Sequence, residues 1–252
     1  FITAQHIGVS ADNQFVSTAA FNGGAVDVTY TIDTAANGGQ GFWNIPGTDL
    51  RIFKINETFS SYAELYTGGL EEGMEMVVFG RGGPRGAEVN LTGDVQGWYH
   101  TGSDGVARWG VNEVSSITSF GNGELLRATF DPLSGQNEAT LSVGDSGGAV
   151  FVNDNGVWKL AGINYAVDGL FDINNVVDDN EFGAALFDRG GYFQGSDGEG
   201  WAGPFPDGSA AGFYASRIST SAAQIQSIIA VPEPGAGLLV FLGLFWTLRR
   251  RR

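Results

Sequence analysis

Short runs rich in Val, Ile, Phe, Tyr and Thr recur along the chain, at residues 25–32, 50–55, 74–79, 149–152 and 157–163. Stretches rich in glycine and asparagine separate them. Runs this short, bounded by turn residues, predict β-strands, and their recurrence predicts an all-β sandwich or barrel. Asn155-Gly156 sits between the last two runs. Both residue types tolerate positive φ, so a tight hairpin is expected there. One amphipathic helix is predicted, at about residues 219–230. No repeat of fixed period is present.

Composition bounds this picture. A chain of 252 residues suits one or two domains and has room for a sizeable core. A hydrophobic content of 42% excludes a wholly disordered chain, even at a net charge of -15. That charge argues against nucleic acid as a partner, because phosphates need a basic face. The absence of cysteine excludes disulfides, thiolate zinc sites and a cysteine nucleophile, but it does not exclude export.

The charge is unevenly spread. Residues 231–252 hold Glu233 and four arginines, so the remaining body carries 27 acidic and 9 basic side chains, a charge of -18. Residues 168–211 hold nine acids against Arg189 alone, with many glycines. This segment is expected to be a long, solvated acidic loop. Asp172, Asp178, Asp179 and Glu181 within it are an alternative calcium cluster, but they match no EF-hand spacing, and the expectation is a solvated loop with no metal and no cofactor.

The C-terminus reads as an address rather than as part of the fold. Pro232-Glu233-Pro234 precedes 14 uncharged residues, 235–248, and then Arg249 to Arg252. As a helix the uncharged run is about 21 Å long, short of a full bilayer span. An apolar run closed by arginines predicts a membrane anchor with its basic end in the cytoplasm. The three-part pattern resembles the PEP-CTERM sorting signal of bacterial exported proteins. The resemblance implies export to the cell envelope or beyond, anchoring through this transmembrane tail, and its removal by an exosortase-type processing enzyme. Export also requires a signal peptide, which is expected to precede Phe1.

The chemistry gathers at Gly144-Asp145-Ser146-Gly147-Gly148. A serine hydroxyl becomes a nucleophile only with a base to take its proton and donors to hold the oxyanion. Gly144 leaves its N–H free of a neighbouring side chain, and Gly147 and Gly148 allow close approach of backbone. The pentapeptide also fits the G-x-S-x-G elbow of α/β-hydrolases. Those enzymes place histidine after serine, however, and no histidine follows Ser146. His6 follows Thr3-Ala4-Gln5, and Asp49 heads the alternating strand Leu50-Arg51-Ile52-Phe53-Lys54-Ile55. The order is His, Asp, Ser, at intervals of 43 and 97 residues. His100, after Trp98-Tyr99, is expected to be structural.

These three motifs in this order resemble the chymotrypsin/trypsin-like serine proteases. Further stretches extend the match over residues 1–230, interrupted by the acidic insertion: the strand from Gly73 to Gly80, Trp158 to Ile163, and Gly212 to Ile218 before the terminal helix. The resemblance implies two six-stranded antiparallel Greek-key β-barrels and a short C-terminal helix. The first barrel is expected to be truncated at its N-terminus, because the family carries further strands before its histidine. It implies a serine endopeptidase acting on protein or peptide substrates, with His6, Asp49 and Ser146 as the triad and the N–H groups of Gly144 and Ser146 as the oxyanion hole. Thr140 matches the base of the primary pocket, Tyr165, Ala166 and Val167 the substrate-pairing strand, and Gly212 a pocket wall. Without aspartate at Thr140, and with Val167 in place of glycine, strict Arg or Lys cleavage is not expected, and a small or apolar side chain is. The alternative is a catalytically inactive protease-like surface or matrix module.

Overall fold

The computed structural model describes residues 1–10, 14–17 (backbone only), 28–59, 61–91, 93–121, 123–131, 133–177 and 180–230. The predicted anchor at 231–252, together with Asp178 and Asp179, lies outside the described residues.

The fold is mostly β-sheet. In chain order the strands are β1 (Ile2–Ala4), β2 (Gln14–Ser17), β3 (Val28–Thr31), β4 (Phe42–Asn44), β5 (Leu50–Phe53), β6 (Glu75–Gly80), β7 (Glu88–Val89), β8 (Gly97–Tyr99) and β9 (Arg108–Glu113). There follow β10 (Ser116–Phe120), β11 (Gly123–Thr129), β12 (Ala149–Asp154), β13 (Val157–Val167), β14 (Phe171–Asp172), β15 (Ala184–Leu186), β16 (Phe193–Ser196), β17 (Gly200–Ala202) and β18 (Gly212–Arg217). A helix, α1 (Ala222–Ile229), closes the described chain, preceded by a 3-10 turn at Ser219–Ser221. The predicted Asn155-Gly156 hairpin joins β12 to β13, with φ of 54° and 89° at its two central residues.

Seven antiparallel strands form the main sheet in the order β10-β11-β18-β13-β12-β6-β9. It wraps around one cluster that includes Met76, Val78, Leu126, Ala128, Val150, Val152, Ala161, Phe213 and Ala215, with Val114 and Ile117 contributed from the two edges. The alternation of side chains along each strand explains this: every second residue of β6, β12 and β18 turns inward. Among the described residues no sheet closes into a barrel, and β9 and β10 end the sheet unpaired with each other.

A second cluster lies on the other side of β13. Leu160 and Ile163 meet Ala4, Ile45, Leu50 and Ile52 of the small sheet β1-β5-β4, together with Ile218 and Ile225 near the C-terminus. The long strand β13 thus packs the small sheet onto the large one, and the two sheets meet along it.

The segment 168–211 is not the solvated loop its charge predicted. It contains β14 to β17, pairs β14-β16-β17 into a sheet, and lays β15 against β8. Phe171, Ala184, Leu186, Tyr192 and Ala211 form its own core with Val89, and Phe182 packs against it. Aromatic residues spread among the glycines supply this core. Two of the acids, Asp168 and Asp172, are buried, at 8% and 0% exposure.

Candidate active site

β1 ends at Ala4, in register with Leu50 of β5. The chain then turns through a 3-10 turn, Gln5–Ile7, closed by Gly8 at φ 68°. This register sets His6 beside Asp49, the residue before β5. Gln5 N–H donates to the Asp49 carbonyl (2.6 Å), and His6 N–H donates to Asp49 Oδ1 (3.0 Å). The second carboxylate oxygen, Oδ2, lies 2.6 Å from His6 Nδ1. A carboxylate only accepts, so Nδ1 donates here, and in the neutral ring Nε2 is the acceptor. Ser146 Oγ stands 2.8 Å from Nε2. The Asp49 side chain is 6% exposed, whereas that of His6 is 39% exposed, so the line runs from the protein interior to an accessible hydroxyl.

Ser146 comes from the main sheet, on the turn that leads into β12. Four backbone bonds hold that turn: Asp145 N–H to Ser142 O, Gly148 N–H to Asp145 O, Gly147 N–H to Asn164 O, and Asn164 N–H to Gly148 O. Gly144 has φ 99°, a conformation that side-chain-bearing residues rarely adopt. Among the described residues neither the Gly144 nor the Ser146 N–H is bonded to an acceptor, and both remain available to a ligand.

Two supporting residues have no local motif to reveal them. Asn164, fully buried on β13, donates from Nδ2 to the carbonyls of Phe79 (2.8 Å) and Asp145 (3.0 Å). It ties the serine turn to β6. A lone polar residue in the apolar run Leu-Ala-Gly-Ile-Asn was the available signal. Gly82 is the other. Its N–H donates to Asp145 Oδ1 (2.6 Å), while Asp145 Oδ2 accepts from Ser142 N–H (2.7 Å). The Asp145 carboxyl fills the space a Gly82 side chain would need. Asp145 is therefore anchored by backbone amides within the chain.

The remaining expected positions divide into two groups. Tyr165 packs edge-on against the His6 ring at 5.7 Å. It sits in a bulge of β13, between Asn164 and Ala166, after which Ala166 and Val167 pair with Tyr214 and Phe213, and Gly212 lies at the start of the same β18. Thr140 lies elsewhere. It lines a cavity of about 250 Å³ behind the serine turn, with Ser142, Asp145, Arg108, Glu138 and His100. Burial pushes the His100 pKa down, against the pull of Asp145, and its buried Nε2 has no partner among the described residues. Glu138 is pushed up to about 7, chiefly by burial. No group of three or more potential metal ligands exists among the described residues.

No family model and no curated protein matches the chain. Among solved structures it is similar to the passenger domain of plasmid-encoded toxin, an autotransporter enterotoxin of enteroaggregative Escherichia coli, at 12% identity and a TM-score of 0.43. That likeness covers 89% of this chain and 20% of the other, so the chain spans about one fifth of that structure's length.

Proposed function

We propose that the chain is a serine endopeptidase that hydrolyses peptide bonds through an acyl-enzyme intermediate. The observation that carries this reading is the unbroken line from Asp49 Oδ2 through His6 to Ser146 Oγ, with contacts of 2.6 and 2.8 Å. Ser146 Oγ attacks the scissile carbonyl as His6 Nε2 takes its proton, and the imidazolium then returns that proton to the leaving amine. Asp49 holds the tautomer and stabilises the cation. The N–H groups of Gly144 and Ser146 receive the developing oxyanion, where preformed donors act without reorganising. Water repeats the sequence on the acyl-enzyme and frees the serine.

The reading extends to the fold and the ends of the chain. The rolled seven-stranded sheet corresponds to the second of two Greek-key barrels, and the sheets of β1 to β5 correspond to the first. Residues 231–252 act as a PEP-CTERM address on an exported protein, and an exosortase-type enzyme removes them. A mature C-terminus near Val231, read by mass spectrometry of cell-envelope material, is the expected result.

A fluorophosphonate probe tests the chemistry. Labelling of Ser146 that disappears in Ser146→Ala and falls steeply in His6→Ala supports the proposal. No labelling of folded full-length protein overturns it and leaves a protease-like surface module.

A further inference from the structure

The face of the main sheet that carries Ala166 also carries Arg127. Tyr214 of β18 pairs in register with Arg127 of β11 on one side and with Ala166 of β13 on the other. Residues directly opposite in an antiparallel ladder project to the same face. Gly212 lies two residues before Tyr214 and so shares that face. A Cβ at Gly212 would stand 3.0 Å from both Nε and Nη2 of Arg127. The guanidinium therefore covers the Gly212 wall.

The charges around it do not cancel. Asp168, just beyond β13, accepts the Gly212 N–H on Oδ2 (2.6 Å) and the Tyr214 hydroxyl on Oδ1 (2.8 Å). Two guanidinium groups, those of Arg127 and Arg189, each stand 3.9 Å from Oδ2, beyond hydrogen-bond length. Arg189 is engaged in the insertion: it donates to Gln194 Oε1 (2.6 Å) and lies over the Phe205 ring at 4.1 Å. Its side chain is 14% exposed, against 24% for Arg127. Two cations share one carboxylate, and the more exposed cation is the one against the Gly212 wall.

We propose that Arg127 is a specificity-determining residue and that the cleft selects a carboxylate side chain, glutamate or aspartate, on the substrate residue that lies along Ala166 and Val167, in place of the small or apolar side chain expected from Thr140 and Val167 alone. This rests on the reading of β13 as the substrate strand. Ala166 and Arg127 are two strand spacings apart, about 10 Å between backbones, which an arginine and a glutamate span together. A basic side chain entering there meets two arginines and a carboxylate whose oxygens are already occupied. An acidic one meets a guanidinium whose planar fork suits a carboxylate. The acidic body of the chain repels acidic substrates only weakly at this range, because screening at physiological salt acts over about 8 Å.

The test uses full-length Ser146→Ala, so that binding is read without turnover. Fluorescent peptides that end in Glu or in Gln, otherwise identical, are titrated by polarisation. The expected result is a preference for Glu of about tenfold or more, the range of one charge-assisted hydrogen-bonded pair. That preference falls to near unity in Arg127→Gln/Ser146→Ala and turns toward Lys-ended peptides in Arg127→Glu/Ser146→Ala. Because each result is a ratio within one protein, partial unfolding of a variant does not mimic it. Equal binding of Glu and Gln peptides, or a preference that survives loss of Arg127, overturns the proposal. Fluorophosphonate labelling of wild type, measured alongside, reports separately on the nucleophile. Labelling with no Glu preference sinks the subsite alone, and absence of labelling sinks the proposed activity.

Discussion

Asp49 spends both carboxylate oxygens on one residue, the backbone N–H and the ring of His6. On the proposed mechanism, Asp49→Asn keeps the shape and loses the acceptor that sets the tautomer. A fall in kcat of about four orders of magnitude, with an unchanged melting temperature, is expected; a fall of only a few fold removes Asp49 from the mechanism. Asn164 acts differently, since it satisfies two buried carbonyls at once. Asn164→Leu strands both, and the expected loss is about 2–4 kcal/mol in urea unfolding, with slower labelling of Ser146. Of these residues, His6, Asp49 and Ser146 were legible in the sequence because their three motifs stand together in the order of the proteases they resemble. Asn164 and Arg127 were not, because their roles come from strands they meet only after folding.

At the scale of elements, the end of β18 is tied to the segment before β6 by a buried pair. Arg217 donates to both oxygens of Glu71, from Nε (3.0 Å) and Nη2 (2.6 Å), and also to Glu124 Oε2 (2.6 Å). Glu71 is fully buried. Burial opposes its ionisation, yet the hydrogen bonds from Arg217 and Ser219 outweigh that and hold its pKa below the usual range. Arg217→Ala leaves this carboxylate buried and unpaired, at an expected cost of about 3–5 kcal/mol by chemical denaturation. Glu138, bridged to β9 through Val111, behaves oppositely. Burial, with the charges of Asp131 and Glu113, raises its pKa from 4.5 to about 7, despite the N–H of Asp131. A carboxyl easier to protonate when folded contributes stability fully present below pH 4.5 and lost as pH rises through about 7. Glu138→Gln is therefore expected to flatten the melting temperature over that window and to raise it at pH 8. A pH profile identical to wild type would count against this. The strands of β5, β6, β12 and β13 and the final helix were readable from short-range pattern. The strands of the insertion were hidden by reading its acids and glycines and not its aromatics.

Over the whole molecule, two clusters flank β13 and a third lies in the insertion, and the site lies where the small sheet rests on the large one. The insertion is a packed unit attached through β15 to β8, with Phe171 fully buried in it. Phe171→Ala is expected to cost about 3–5 kcal/mol and to raise amide exchange across residues 168–211 and in β8; exchange confined to the surface turns would show the unit to be independent of that core. By itself the sequence determined the strand-rich class, the Asn155-Gly156 turn, the terminal helix, and the three residues now in line at the site. The first three follow from backbone sterics and side-chain period within a few residues, and the site residues from the order of three motifs and the protease resemblance those motifs carry. Only the tertiary structure decided that Arg127 lies on Gly212, that Asp168 is shared by two arginines, and that the acidic segment has a core. Those depend on register and burial between segments far apart in the chain, where one residue of slip would turn each side chain to the opposite face.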